Sequence, residues 1–177
     1  EGRPLGVSGN GVACTMEGSR PILSEIQALA TKTNFPAPRR ACSGYDYNRM
    51  NLLIAVLEKR AGYFFGNLDV YINIVSGITL RDTACDLAVC LSMVSSLRDC
   101  PVSDKLIAIG EVGLGGEVRS VPNLEQRLRE AERIGFERAV VPKHSLAHLN
   151  AADYPGMKLV GAAYISDAIH ALKSDRL

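Results

Sequence analysis

Between Leu68 and Val75 the residues alternate with a period of two: Val70, Ile72 and Ile74 fall on one side, Asp69, Tyr71 and Asn73 on the other. That pattern belongs to a strand with one buried face. The chain must therefore supply a layer to cover it. From Thr83 to Arg98 the period changes, with Leu87, Cys90, Leu91 and Val94 recurring at helical spacing. Asp82 or Thr83 is placed as its N-cap, and Pro101 lies just past its end. A half-buried strand followed by a helix predicts an α/β chain with helices packed on sheet.

The remaining segments extend the pattern. Gly11–Glu17 and Arg20–Leu29 read as extended, with Gly18 and Ser19 as the turn between them. Pro36 and Pro38 mark 34–40 as a loop or extended edge. Leu52, Leu53, Val56 and Leu57 predict a helix from Asn48 to Arg60, capped by Gly62. Leu106–Val121 is rich in β-formers but punctuated by Gly110, Gly113, Gly115 and Gly116, so a hairpin or bulged strand pair is expected. A helix follows to about Ile134, with Leu124, Leu128 and Ala131 facing the core and Gly135 ending it. Asn123 and Gln126 predict a capping box at its start. Short buried strands at Arg138–Pro142 and Leu159–Ala162 and a helix at Ile165–Leu172 complete a single mixed α/β domain. Residues 1–10, rich in Gly, Ser and Asn, read as a linker entering a domain that spans 11–177.

The chain has 177 residues, about one domain's worth. Hydrophobic residues make up 47%, and the net charge is only +1, which excludes a disordered chain and a broadly basic nucleic-acid binder. No apolar run is long enough to span a bilayer, and the N-terminus lacks the apolar region of a signal peptide. Cys14, Cys42, Cys85, Cys90 and Cys100 are odd in number and contain no CxxC pair, which fits reduced thiols in a cytoplasmic protein. Cys85 and Cys90 fall in an apolar helical stretch, where a free cysteine acts as a small hydrophobe.

Several chemistries lack their motif. There is no Gly-Lys dipeptide, hence no Walker A loop, and the run Gly110–Gly116 lacks GxGxxG spacing. His144 and His148 stand four apart without the Glu of a HExxH zinc site, and read as surface histidines in a loop. GxSxG is absent, and Ser43, Ser76, Ser95 and Ser96 carry no local signature. No cofactor or metal is expected to bind this chain.

Positive charge is concentrated locally. Residues 39–60 hold Arg39, Arg40, Arg49, Lys59 and Arg60 against Asp46 and Glu58, a balance of +3 that leaves about −2 elsewhere. Arg49 and Arg60 lie about three helical turns apart and share a face, with Lys59 about 100° away. Tyr45 and Tyr47 are candidates to stack on bases of single-stranded DNA. The bland reading is a solvated face whose arginines pair with a neighbouring subunit's acids. Arg127, Arg129 and Arg133, interleaved with Glu125, Glu130 and Glu132, read as an exposed salt-laced face. Arg81 and Arg119 are isolated and weaker candidates.

Residues Val70 to Pro142 resemble the proteolytic domain of the Lon family, through Val70–Gly77, the helix after Asp82, the run Gly110–Arg119, the Leu124–Gly135 helix and the strand ending at Pro142. Active Lon members carry a nucleophilic Ser in a Gly-Pro-Ser-Ala-Gly stretch and a Lys, as its base, after a Gly-Gly-hydrophobic triplet. Here those stretches read Asp82-Thr83-Ala84-Cys85-Asp86 and Pro122-Asn123-Leu124-Glu125. The resemblance thus puts Ala84 at the nucleophile position and Glu125 at the base position. A methyl group cannot attack a carbonyl, and a carboxylate near a helix N-terminus stays ionised. Thr83 and Cys85 flank the site but point about 100° away on a helix.

A Lon-like domain altered at both positions is similar to the C-terminal domain of the RadA/Sms family of bacterial DNA-repair and recombination ATPases. The runs Glu17–Leu29, Pro38–Leu53 and Ala55–Arg60, with Glu111–Val121 and the Leu124–Gly135 helix, carry that resemblance. It implies a cytoplasmic pseudo-peptidase cut from a DNA-dependent ATPase that drives branch migration. ATP, Mg and Zn would bind only the missing ATPase core and four-cysteine zinc motif, upstream of the linker. The domain would serve as a ring-forming scaffold, typically hexameric, and contact single-stranded or branched DNA through Arg39, Arg40, Arg49, Lys59 and Arg60. Its partners would be DNA, other copies of itself and a RecA-like recombinase, with no membrane. A Ser-Lys-type Lon peptidase and a purely structural oligomerisation scaffold remain as alternatives.

Overall fold

The computed structural model describes residues 6–75 and 77–174. The beginning of the expected linker (1–5) and Ser76 lie outside the described residues. Ser8 and Gly9 already bond to the body, Ser8 to Asp99 and the Gly9 N–H to Ser95 Oγ at 2.9 Å.

Strands β1 (Asn10–Glu17), β2 (Arg20–Lys32), β3 (Arg40–Ser43) and β4 (Leu68–Ile74) form a sheet in the order β1-β2-β4-β3. The Gly18–Ser19 turn joins β1 to β2 as an antiparallel hairpin, β4 pairs antiparallel with β2, and β3 runs parallel to β4 at the edge. As the alternation requires, Val70, Ile72 and Ile74 are buried while Asn73 is exposed. Asp69 departs from the pattern: it is buried, and its carboxylate accepts the Arg39 N–H at 2.7 Å.

Helix α1 (Tyr47–Ala61) starts at Asp46, whose carboxylate accepts the Arg49 N–H, and ends at Gly62 in the left-handed region (φ 75). The predicted 83–98 helix opens with a short 3-10 turn, Thr83–Cys85, and continues as α2 (Asp86–Arg98). It is not a one-stripe helix. Every residue from Asp86 to Ser95 is buried, because the sheet lies on one side while α1 and α4 (Ile165–Ser174) pack on others. The sheet approaches α2 very closely. A Cβ at Gly11 would stand 2.4 Å from Ser92 Oγ, so a side chain there would push that hydroxyl off its bond to the Ala88 carbonyl.

A second layer holds the parallel strands β5 (Leu106–Ala108), β8 (Arg138–Pro142) and β9 (Lys158–Ala162) in the order β5-β8-β9. The glycine-punctuated stretch forms a small hairpin, β6 (Glu111–Val112) and β7 (Val118–Arg119). Helix α3 (Leu124–Ile134) buries Leu124, Leu128 and Ala131 against Ile107, Val141 and Val12. The expected capping box does not form: Asn123 adopts the left-handed conformation (φ 58), and its side chain bonds to no helix N–H. The chain is thus a mixed α/β fold with one apolar core around α2 and a second under α3.

All five cysteines are free thiols, and Cys85 and Cys90 are packed as small apolar residues. Burial pushes the thiols of Cys14 and Cys42 up to about 11.

Candidate functional site

The first cluster sits at the head of α2. Ala84 is buried, its N–H is taken by Asp82 Oδ1 at 3.0 Å and its carbonyl by the Gly110 N–H at 2.9 Å. The flanking hydroxyl and thiol are also occupied. Thr83 donates to Glu111 Oε2 at 2.6 Å, and Cys85 is buried with its sulfur directed at the Cys14 carbonyl. Glu125 is 58% exposed in its side chain and faces Arg129 at 3.9 Å.

Between the two helix heads lies Arg127, which is a correction to the sequence reading. Its side chain is 1% exposed, not part of a solvated face. It donates to Asp82 Oδ2 at 2.7 Å, to the Cys14 carbonyl at 2.6 Å and to the Pro122 carbonyl at 3.0 Å. Burial acts to raise the Asp82 carboxyl, but Arg127 and the N–H groups of Ala84 and Met16 outweigh it and hold it below its ordinary value. Arg129 and Arg133 do lie on the exposed face, Arg133 against Glu130 at 2.5 Å.

A concavity of about 600 Å³ opens beside this cluster, between the first turn of α1 and residues 79–83. Its floor is an internal network. Asp86 accepts from the Tyr45 hydroxyl (3.2 Å), the Val112 N–H (3.1 Å) and Arg49 through both Nε and Nη2. Burial raises the Asp86 carboxyl in spite of these donors. Tyr45 is therefore not available to stack on a base: it is 9% exposed and its hydroxyl is occupied. Tyr47 remains exposed.

Arg49 and Arg60 do share a face of α1, but that face grips the β6–β7 hairpin. Arg49 reaches the Val112 carbonyl at 3.2 Å, and Arg60 the Leu114 carbonyl at 3.3 Å. Arg40 is a clamp as well. Its guanidinium donates to the Phe65 carbonyl at 2.8 Å and to the Leu68 carbonyl, tying the start of β3 to the 62–68 loop.

Arg39 and Lys59 are placed differently. Both are exposed, and among the described residues neither meets a carboxylate at ion-pair distance. They belong to one end of the molecule, where β2 ends, β3 and β4 begin, and α1 and α2 finish. The Thr33 N–H to Asn67 carbonyl bond (3.2 Å) joins the 33–39 loop to the 62–68 loop. This end adds exposed Lys32 and Arg98 to Arg39, Arg40, Lys59 and Arg60, against Glu58, Asp69 and Asp99. Two exposed aromatics, Phe35 and Phe64, were missed by the sequence reading. The signal was available in Tyr63-Phe64-Phe65, because adjacent side chains of an extended segment cannot all face inward. The Arg39 guanidinium lies 3.7 Å from the Phe35 ring centre, a cation–π contact.

Among the described residues no helix is long and apolar enough to cross a membrane, and no group of three or more His, Cys, Asp and Glu side chains is arranged to hold a metal. His144 and His148 lie on an exposed 3-10 turn, ring centres 5.7 Å apart.

The model of the family described as subunit ChlI of Mg-chelatase matches residues 49–145, more than half of the chain. A protein named DNA repair protein RadA from Bacillus subtilis (strain 168) is 45% identical over 170 residues, covering 96% of this chain and 36% of that protein. The RadA of Streptococcus pyogenes serotype M1 is 42% identical over 175 residues (98% and 38%). That of Streptococcus pneumoniae (strain ATCC BAA-255 / R6) is 46% identical over 146 residues (82% and 35%). The chain spans little more than a third of the length of these relatives. It belongs to the family that the matching model describes, as a RadA-type domain.

Proposed function

We propose that this chain is the non-proteolytic Lon-like domain of a DNA repair and recombination protein, a DNA-contacting module and the scaffold on which copies assemble, hexameric in the full-length ring. The whole protein would be an ATP-driven branch-migration motor, with its ATPase core elsewhere. The relatives named for DNA repair support the biological setting. The observation that carries the molecular reading is the end where Arg39 and Lys59 stand unpaired among other cations. A guanidinium on a loop, as at Arg39, and an ammonium on the exposed last turn of a helix, as at Lys59, reach phosphates without disturbing a core. The chemistry at the two helix heads supports the non-proteolytic reading. Ala84 offers no nucleophile, and Thr83, Cys85 and Glu125 are engaged, buried or directed to solvent.

The test is binding of a single-stranded oligonucleotide by the 177-residue chain at about 50 and 200 mM salt, where phosphate contacts release counterions and affinity falls steeply. Arg39→Glu with Lys59→Glu is expected to abolish that binding. Arg40 stays in place, because its reversal would break the clamp on the 62–68 loop and confound the result. A folded chain that binds no DNA at low salt would reduce the reading to a scaffold.

A further inference from the structure

We infer, building on the DNA-contact reading above, that the 62–68 loop is a base-stacking site for single-stranded nucleic acid, with Phe64 as the platform and Arg39 and Lys59 beside it for the phosphates. Phe64 is 72% exposed, while its neighbours Tyr63 and Phe65 are buried. Those two rings are anchors, and they turn the ring between them outward.

The loop that carries Phe64 is well tied. Gly62 turns the chain in the left-handed region, the Tyr63 N–H bonds to the Leu57 carbonyl at 3.1 Å, and the Leu68 N–H bonds to the Phe65 carbonyl at 3.0 Å. Arg40 holds the Phe65 and Leu68 carbonyls, and the Arg98 guanidinium lies 4.9 Å from the centre of the Tyr63 ring. A ring held in water by so many bonds loses little freedom when a flat ligand lies on it.

The chemistry of the ligand follows from what surrounds the ring. An apolar protein partner would want an uncharged setting, whereas Lys59 and Arg60 precede this loop in the last turn of α1, Arg40 beside Arg39 is bonded to its Phe65 and Leu68 carbonyls, and Lys32 pairs with Leu68 in the sheet. A polyanion with exposed π-faces fits both features. Duplex DNA satisfies the charge but hides its base faces in the stack, so the single strand is selected.

The chain contains no tryptophan, so Phe64→Trp creates a sole indole reporter. Its fluorescence should be quenched by an oligo-dT strand and left unchanged by a blunt duplex. A tryptophan placed at Ile134, at the end of α3, should respond to neither. Phe64→Ala should weaken oligo-dT binding about tenfold, within the range of one base stack, with an unchanged melting temperature. Retained salt-steep binding without quenching and without loss in Phe64→Ala would overturn the stacking site while leaving the DNA-contact reading intact. Absence of any oligonucleotide binding would sink both. Loss of self-association in Phe64→Ala at unaltered DNA affinity would show the ring to be a contact between copies, and would also overturn the inference.

Discussion

The two ends of α2 use the same residue types for opposite purposes. At its head, Arg127 and Arg49 are folded inward onto Asp82, Asp86 and main-chain carbonyls. At its foot, Arg39 and Lys59 meet no carboxylate among the described residues, Arg39 lies over the Phe35 ring, and Phe64 is exposed in the loop that follows α1. The first arrangement uses charge to join elements far apart in sequence: Arg127 links α3 to β1 and to the α2 head, and Asp86 links α1, α2 and β6. The second leaves charge exposed to solvent. Formal charge therefore says little about which arginine is open to an external ligand. The location of its nearest acceptors decides.

The sharpest way to break this contrast is to remove an internal arginine. Arg127→Met leaves Asp82 without its cation and the Cys14 and Pro122 carbonyls without their donor, and should cost about 3–5 kcal/mol of folding stability. Urea denaturation of the variant measures this, and a loss below 1 kcal/mol would mean that the cluster is not a structural joint. Arg40→Met should cost less, about 1–3 kcal/mol, because uncharged carbonyls lose a donor and some can turn to water. Its neighbour is the control. Arg39→Glu with Lys59→Glu should stay within about 0.5 kcal/mol of the parent, since both side chains are exposed.

Acid unfolding sharpens the comparison further, because the two aspartates shift in opposite senses. The folded-state pKa of Asp82 is lowered, so its stabilisation is present above the unfolded value near about 4 and is lost as pH falls through the folded pKa. That of Asp86 is raised, so its contribution is present below about 4 and is lost as pH rises through the folded pKa. Urea midpoints between about pH 5 and pH 2.5 should fall less for Asp82→Asn than for the parent, and more for Asp86→Asn. Equal slopes in all three proteins would remove both carboxylates from the acid transition.

Much of the fold could be read from local pattern. The β4 alternation, the α1 stripe with Gly62 beyond it, and the Gly18–Ser19 hairpin all appear where the sequence places them. Their signals are short-range: side-chain period, a left-handed turn and a cap. The misreadings concern long-range partners. Arg127 looks like a member of a charged helical face because Glu125, Glu130 and Glu132 alternate around it, but its acceptor Cys14 is 113 residues away in β1. Tyr45 looks like a stacking residue because it lies among arginines, but Asp86 draws it inward from 41 residues along the chain. Asn123 has the composition of a cap, yet it stands in the left-handed region and its side chain bonds to no helix N–H.

The candidate interface was half legible. The cluster of basic residues in 39–60 could be counted from the sequence, but which of them remain free could not. Arg39 and Arg40 are chemically identical neighbours, and only the proximity of the Phe65 and Leu68 carbonyls to one, and of the exposed Phe35 ring to the other, makes Arg40 an internal clamp and leaves Arg39 at the surface.

The sequence by itself determined the secondary elements and the α/β class, because these depend on residue identity and on neighbours within a turn or two. Tertiary structure alone decided which charges are satisfied, which rings are buried, and that loops 33–39 and 62–68 form one surface with the ends of α1 and α2. A hydrogen bond or a desolvated ion pair depends on the last ångström between groups brought together by packing, and no local pattern records that distance.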